Sequence, residues 1–489
     1  MPKQINVTDV NVKKLEIYSS FGKYDLRPHF LELNVYENIF RPALTGTIVL
    51  SDSHNLPYKL PIVGEETVDI DISLKALDGV KDEERFTIAP PPLHVNSLSD
   101  RYFTKPKAQV FSLDLISEKY MSSLHSKVSK SYRGKKISYM VDDIFFNYLY
   151  DGTHGLYVEP TERTENLIIP NLSPIDAIKW LSKRAIPASS VGVNYVFYET
   201  MNGSKFISLD SLASEEPSLT LFQRPRVDDP TGVSHVSGNE FKIEKFTYVK
   251  QFDKIQNTER GVYSSKLITH DIVRKKITQH EYTGFNEWFG FNHCGAFPPL
   301  SNSDMETKSS DVYRTSHAPP SPLDGNPTTN ERNLARQIDS RVEFYPKHKQ
   351  MYAKNTGDGY DNRVEDWKLR RNGHMGIYDG ISLILELSGN SALRVGHTVS
   401  LYLPSPETTD KDKKSDSVDD KFLSGKYMVT AIQHIFSNTN NKSPRVEYKM
   451  KVEVTKDGLE ELPSSRTSRK EDWLCLVILF GGKVLLKIE

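Results

Sequence analysis

Residues Arg445 to Thr455 (RVEYKMKVEVT) put Val446, Tyr448, Met450, Val452 and Val454 on one side of an extended chain. Arg445, Glu447, Lys449, Lys451, Glu453 and Thr455 fall on the other. A period of two cannot follow a helix face; it demands a strand with one buried and one wet side. Burying those five side chains is worth about 1.5–3 kcal/mol each before conformational entropy is subtracted. The same period recurs near the N-terminus. Phe30 to Glu37 alternates Leu31, Leu33 and Val35 with Glu32, Asn34 and Tyr36, and Thr67 to Ile72 sets Val68, Ile70 and Ile72 against two aspartates. Ala43 to Leu50 is β-branched and ends in the turn-forming Ser51-Asp52-Ser53, and Ala108 to Ile116 completes the set. Leu56 to Gly64 carries Pro57 and Pro61, which cannot donate ladder bonds, so an edge or a connector is expected there. Short alternating strands at this spacing predict a small antiparallel barrel or sandwich.

The period then changes. Lys136 to Tyr150 spaces Ile137, Met140, Val141, Ile144, Phe145 and Tyr148 as an amphipathic helix. A second helix starts at Ser173 as N-cap, with Pro174 at the first helical position and Asp176 in the first turn. Its buried stripe is Ala177, Ile178, Leu181 and Ala185, and Pro187 is expected to end it. Tyr195–Tyr198 and Lys205–Leu209 flank Met201-Asn202-Gly203-Ser204, the signature of a hairpin. This stretch reads as an α/β or α+β unit.

Strands return after about 225, interrupted by a Pro, Ser, Asn and Asp-rich stretch from His293 to Asn330 that predicts a long loop. A helix is expected over Asn362 to Arg371. Strands are expected at Ile381–Leu387, Thr398–Leu403 and Lys426–Ile435, with a charged loop at Lys411–Lys421. Beyond 460 a linker-like segment precedes two apolar runs around Gly481-Gly482. These predict a glycine-turn hairpin that either docks on another surface or stays a sticky end.

The 489 residues set a prior of about three domains. Aromatics at 10% argue against disorder. Sixty-three basic and 64 acidic residues leave a net charge of -1, so no global basic field exists to hold nucleic acid or an anionic membrane. The two cysteines, Cys294 and Cys475, exclude a disulfide scaffold and a zinc ribbon. The polar first ten residues show no apolar secretion signal, and the longest apolar run, Trp473 to Phe480, is far short of the roughly 20 residues that cross a bilayer. A soluble chain made in a reducing compartment is expected, with no membrane span.

Catalytic spacing is missing: the sequence has no nucleotide-binding glycine motif with its partners, no HExxH and no GxSxG. The histidines are scattered, none i,i+4 from another on a helix face. Glu65-Glu66 and Asp142-Asp143 read as solvated faces, because neighbouring side chains diverge. His270-Asp271 reads as a turn, His434 as a hydrogen-bonded sheet histidine, and His293-Cys294 as adjacent side chains that do not meet as a nucleophile pair. Trp288 and Phe289 are the candidate glycan platform, with a core role the ordinary expectation. No catalytic, cofactor-binding or metal-binding residue is assigned, and no cofactor is expected.

Several segments in order resemble the tail-hub (baseplate central hub) proteins of contractile-tailed bacteriophages, which are related to the hub part of type VI secretion spike proteins. They are LNVYENIFRPALTGTIVLSDS with LPIVGEETVDIDI, then VFSLDLISEKYMSS with KVSKSYRGKKISYMVDDIF, and LSPIDAIKWLSKRA with VFYETMNGSKFISLDSL. GNSALRVGHTVSLYLP, DKFLSGKYMVTAIQHIF and RVEYKMKVEVTKD follow, so the resemblance spans about 12 to 457. It implies an α+β, mainly β fold of two small tube-type antiparallel β-barrel domains joined by α/β insertions. The expected division is a first barrel over 1–119 and an α/β insertion with helices and a hairpin over 120–225. A second barrel over 226–460 follows, with a long loop insertion at 293–330, and then a linker and apolar tail over 461–489. The resemblance further implies a non-enzymatic homotrimer in the virion tail baseplate, assembled in the host cytoplasm. As a symmetry adaptor it would join a sixfold tail tube, or tube-initiator protein, to a threefold central spike protein. Its lumen would pass the tape-measure protein and the genome, the long loop would meet baseplate wedge proteins, and no sequence-specific nucleic acid contact is implied. The competing expectations are a hub-spike component with a cell-wall-degrading role and a glycan-binding tail-fibre-type protein.

Overall fold

The computed structural model describes residues 9–74, 87–88, 90–105, 108–152, 154–223, 242–251, 253–296, 341–347, 363–390, 392–404, 420, 422–438 and 446–460. Cys475, Arg445, the hairpin expected after 460, and most of the 293–330 and 411–421 loops lie outside the described residues. The N-terminal strands are β1 (Asp9–Ser19), β2 (Gly22–Asp25), β3 (Phe30–Asn38), β4 (Thr45–Asp52), β5 (Thr67–Leu74), β6 (Thr87–Ile88), β7 (Leu93–Lys105) and β8 (Ala108–Ser117). The middle contributes β9 (Ser131–Lys136), β10 (Leu156–Val158), β11 (Thr164–Ile168), β12 (Tyr195–Thr200), β13 (Gly203–Ser208) and β14 (Leu219–Phe222). The remainder supplies β15 (Ile243–Lys250), β16 (Ser264–Asp271), β17 (Lys276–Thr283), β18 (Val342–Pro346), β19 (Ile381–Ser388), β20 (Thr398–Tyr402), β21 (Gly425–Asn438) and β22 (Val446–Lys456). The fold is α+β and mainly β.

Two hydrogen-bonded circuits organise the large sheet. One runs β1–β5–β7–β8–β4–β3–β21–β22 and returns to β1 through Val10↔Val446. The other runs β14–β20–β21–β22–β19–β15 and is sealed by a single bridge, Phe222↔Lys242. Both contain the β21–β22 pair. The strands before residue 119 therefore close into a ring with the help of two strands from the C-terminal third of the chain. Their apolar interiors merge into one core that includes Leu15, Val35, Ile48, Leu113, Leu383, Val399 and Val452.

The length of β21 and β22 makes this sharing possible. Met428 and residues before it pair with β20, whereas Ala431 to Ser437 pair with β3. Between them the register against β22 shifts at Thr430, a bulge that re-aims the strand as it passes from one ring to the other. Beyond it Ile432, His434 and Phe436 point inward. On β22, Val446, Tyr448, Met450, Val452 and Val454 are all buried, as the alternation requires, while Lys449 and Lys451 are exposed. Thr455 departs from the pattern and is buried. Gly389 has no room for a side chain: a Cβ there would fall 2.0 Å from the Tyr448 ring.

Other expectations hold with local corrections. Leu31 is 39% exposed, because a register shift between Phe30 and Glu32 turns it out of the ring. The Pro-containing connector includes a single helical turn, Leu56–Lys59. Ile137–Tyr148 is helical, and Ser173 caps Pro174–Ser182 by accepting from the Asp176 N–H. That helix stops before Pro187, with Lys183 as its C-cap. The β12–β13 hairpin turns at Met201-Asn202, and Gly203 supplies the φ of +133°. With β10 it packs on the two helices around a second core containing Met140, Ile144, Phe145, Ile178, Leu181 and Tyr195. The expected Asn362–Arg371 helix spans Val364–Ile377. The sheet β17–β16–β18, inserted between β15 and β19, packs against that helix through Leu267, Tyr282, Val364 and Leu369.

Replacing Tyr448 or Val452 with Asp buries an unpaired charge between the rings and should cost about 3–5 kcal/mol. Lys449→Asp, on the wet side of the same strand, should cost about 1 kcal/mol or less. Chemical denaturation of the three variants separates these outcomes, and equal losses at 448 and 449 would refute the one-sided burial of β22.

Candidate interaction surfaces and buried polar centres

The sheet decides the fate of each residue the sequence singled out. His270 is an exposed residue of β16 paired with Ile277, and the Asp271 Oδ1 accepts the N–H groups of Val273 and Arg274, so the turn lies after the pair and Asp271 caps it. His434 is buried on β21, its Nδ1 2.8 Å from the Tyr448 hydroxyl and its Nε2 3.7 Å from the Glu37 carboxylate. Glu37 in turn accepts the Met201 N–H at 2.7 Å. This chain ties the shared hairpin to β3 and to the β12–β13 turn, inside the core.

His293 and Cys294 do not act on each other. The His293 ring stacks on Trp288 at 3.5 Å and 9°, with Nδ1 2.6 Å from the Asp457 carboxylate and Nε2 2.7 Å from the Trp288 carbonyl. The other Asp457 oxygen accepts the N–H groups of Cys294 and Gly295. Burial, reinforced by the negative Asp457, pushes the Cys294 thiol well above its ordinary pKa, which suppresses the nucleophilic thiolate. Trp288 is 3% exposed, so it offers no platform for a sugar; nothing is described of the Phe289 side chain.

Two carboxylates read as solvated are not. Glu66 is 1% exposed and accepts the N–H groups of Val63 and Gly64, which closes the turn before β5. Asp143 is half-buried and accepts from Lys130 and Tyr132, and these bonds hold its carboxyl below the usual range despite burial. A third buried acid, Glu199, meets Lys119 at 2.9 Å, with Asp151 3.3 Å from the same ammonium, and accepts the Leu44 N–H. These partners lie 80 and 155 residues apart, so no local sequence signal announces them.

Polar contacts also fasten the middle unit to the Val364–Ile377 helix. Arg163 pairs with Asp366 at 2.6 Å, and Arg371 donates to the Ser182 and Tyr195 carbonyls. Burial lowers the Arg371 pKa to about 10. His374, fully buried, accepts the Val193 N–H on Nδ1, and its Nε2 has no partner among the described residues.

Two concave regions open on the outer side of the shared hairpin. One of about 450 Å³ lies where the β3–β4 turn meets β21 and β22, lined by Asn38, Arg41, Ile384 and Gln433. The second, about 460 Å³, is lined by Phe40, Arg260, Arg341, Arg371 and Asp379. Glu453 borders both, and burial together with Asp379 raises its carboxyl pKa. On the outer face of the small sheet, Phe344 is 73% and Ile277 62% exposed. Among the described residues one set of potential metal ligands converges, His29, Asp52 and His54.

No family model matches the sequence, and no curated protein matches it. Among solved structures, the fold is similar to a tail protein from Neisseria meningitidis MC58 at 11% identity. That match covers 91% of this chain and 97% of the other, with a TM-score of 0.48. It is also similar to the 43 kDa tail protein of prophage MuSo2 from Shewanella oneidensis, at 8% identity over 91% and 98% of the two chains, with a TM-score of 0.45. An Escherichia coli component of the type VI secretion system aligns at 8% identity over 93% and 79%, with a TM-score of 0.38.

His374 gives a prediction. Burial first, then the neighbouring Arg370 and His293, lower its pKa from 6.5 to about 3. The folded chain keeps this imidazole neutral where the unfolded chain protonates it below about 6.5. Stability should therefore fall as pH drops from 7 to 5, by up to about 1.4 kcal/mol per unit from this residue. His374→Gln, which retains an acceptor for Val193, should flatten that slope in urea titrations; an unchanged slope would show that His374 titrates freely in the fold.

Proposed function

We propose that this chain is a structural, non-enzymatic hub of a tail baseplate. It acts as a homotrimeric adaptor between a sixfold tail tube and a threefold spike, in a virion tail assembled in the host cytoplasm. The observation that carries the reading is the pair of strand circuits sharing β21 and β22. Each chain then presents two ring-shaped surfaces in fixed relation, and three chains present six. The ordered segments from 12 to 457 that resemble tail hubs support the same reading. In this proposal 1–119 and 226–460 contribute most of the barrel surfaces, 120–225 is the α/β insertion that joins them, and its last strand, β14, belongs to the second ring. The assembled lumen admits the tape-measure protein and the genome, while wedge proteins contact the long insertion. The apolar Phe344 and Ile277 give association something to bury.

A chain of 55.7 kDa predicts a trimer of 3 × 55.7, about 167 kDa. Light scattering on a sizing column reads this directly. A mass near 167 kDa is the expected result for the chain alone, or about 167 kDa plus the mass of the bound spike where the spike is needed for assembly. A stable monomer that stays monomeric with the spike would overturn the adaptor.

A further inference from the structure

We infer that His29, Asp52 and His54 form a binding site for a divalent transition-metal ion of the zinc class at the open end of the β3–β4 pair. His29 immediately precedes β3, Asp52 is the last residue of β4, and His54 follows two residues on. Pairing of Phe30 with Leu50 and the Ser51 N–H to His29 carbonyl bond, 2.8 Å, bring the two strand ends together. One potential ligand atom from each side chain lies within 4.8 Å of the others. Two imidazoles and a carboxylate are the donor set that such ions prefer, three protein ligands with a remaining position for water.

The surroundings orient all three groups. The buried Asp52 carboxylate is fixed by the His54 and Leu56 N–H groups at 2.7 and 2.6 Å and by the Gln109 amide at 2.8 Å. Arg101 holds Gln109 from behind at 2.9 Å. His29 places Nδ1 3.3 Å from the Ser51 carbonyl, the contact that fixes a metal-binding imidazole tautomer and leaves Nε2 as the donor. Nε2 faces the Tyr24 hydroxyl at 3.0 Å, which a bound ion would displace. The His29 and His54 rings meet edge to face, with centroids 5.4 Å apart. Tetrahedral bonds of about 2.0 Å set ligand atoms about 3.3 Å apart. Closing the remaining distance falls to the exposed His54, whose ring would exchange its 3.4 Å contact with the Ser53 hydroxyl for the ion. A bound ion would clamp β3, β4 and, through Gln109, β8. The inference stands independently of the hub reading.

Cobalt(II) titration of the full chain, followed by visible absorption, tests the site. One equivalent should bind with a ligand-field band that zinc(II) removes, and zinc should raise the melting temperature. His54→Ala, at an exposed position outside any strand, should weaken binding at least about tenfold while leaving the circular dichroism unchanged. His270→Ala, a distant exposed histidine, should bind as the parent does. Absence of a band at micromolar cobalt overturns the site, as do equal affinities in the parent and His54→Ala, or an equal loss in His270→Ala.

Discussion

The relation between the two rings depends on the β21–β22 hairpin belonging to both at once. The hydrogen bonds that close the first ring and those that build the second are made by successive stretches of the same strands. Thr430 is the pivot on β21: its bulge ends pairing with β20 and begins pairing with β3, and its carbonyl accepts the Ile39 N–H. Tyr448 is the matching point on β22, between the residues that pair with β1 and those that pair with β19. Its ring stacks on Phe436 at 4.7 Å, its hydroxyl meets His434, and Gly389 exists as glycine to admit it.

The alternation of Val446 to Val454 was legible because period two has one structural meaning, and the helix at Ser173 because its cap, proline and acid are local signals. The circuit was not legible. Nothing in residues 9–52 announces that their ring is completed by residues 431–447, since pairing over some 400 residues leaves no trace in either segment alone. The same limit hid the polar centres. His293 finds Asp457 and Lys119 finds Glu199 only through the fold, across 164 and 80 residues of chain. Glu66 was misread for a different reason: a carboxylate that caps a turn through two backbone N–H groups resembles any charged pair in sequence. The β16–β18 pairing escaped because the chain between the two strands runs through β17 and then through the Pro- and Ser-rich 293–330 stretch, whose composition signals only loop.

The middle unit has its own apolar core, and it meets the rings both through apolar residues such as Val196, Tyr198, Ile207 and Leu212, which join the ring core, and through buried polar bonds. Glu199 takes Lys119 and the Leu44 N–H, Glu37 takes the Met201 N–H, and Asp210 takes the Asn292 N–H. Arg371 and His374 add bonds to the backbone of 182, 195 and 193 from the opposite side. Apolar contact alone would permit many docked orientations at similar energy. Buried charges and amides are satisfied in very few, because each one left unpaired costs about 1–3 kcal/mol or more. The core of the unit makes it fold, and these bonds decide how it sits.

A shared hairpin has a mechanical consequence that separate barrels on a linker would lack. Domains joined by a connector hinge freely unless their interface is large and apolar. Here, rotating one ring against the other would break ladder bonds between β21 and β22, which pair continuously from Met428–Thr455 to Asn438–Val446 apart from the one bulge. Each such bond contributes about 1 kcal/mol net, and they would have to fail together. The angle between the rings is therefore set when the chain folds. For the proposed adaptor this matters more than the strength of any single contact, since copies can present equivalent surfaces around an axis only if the two surfaces within each copy hold a constant relation.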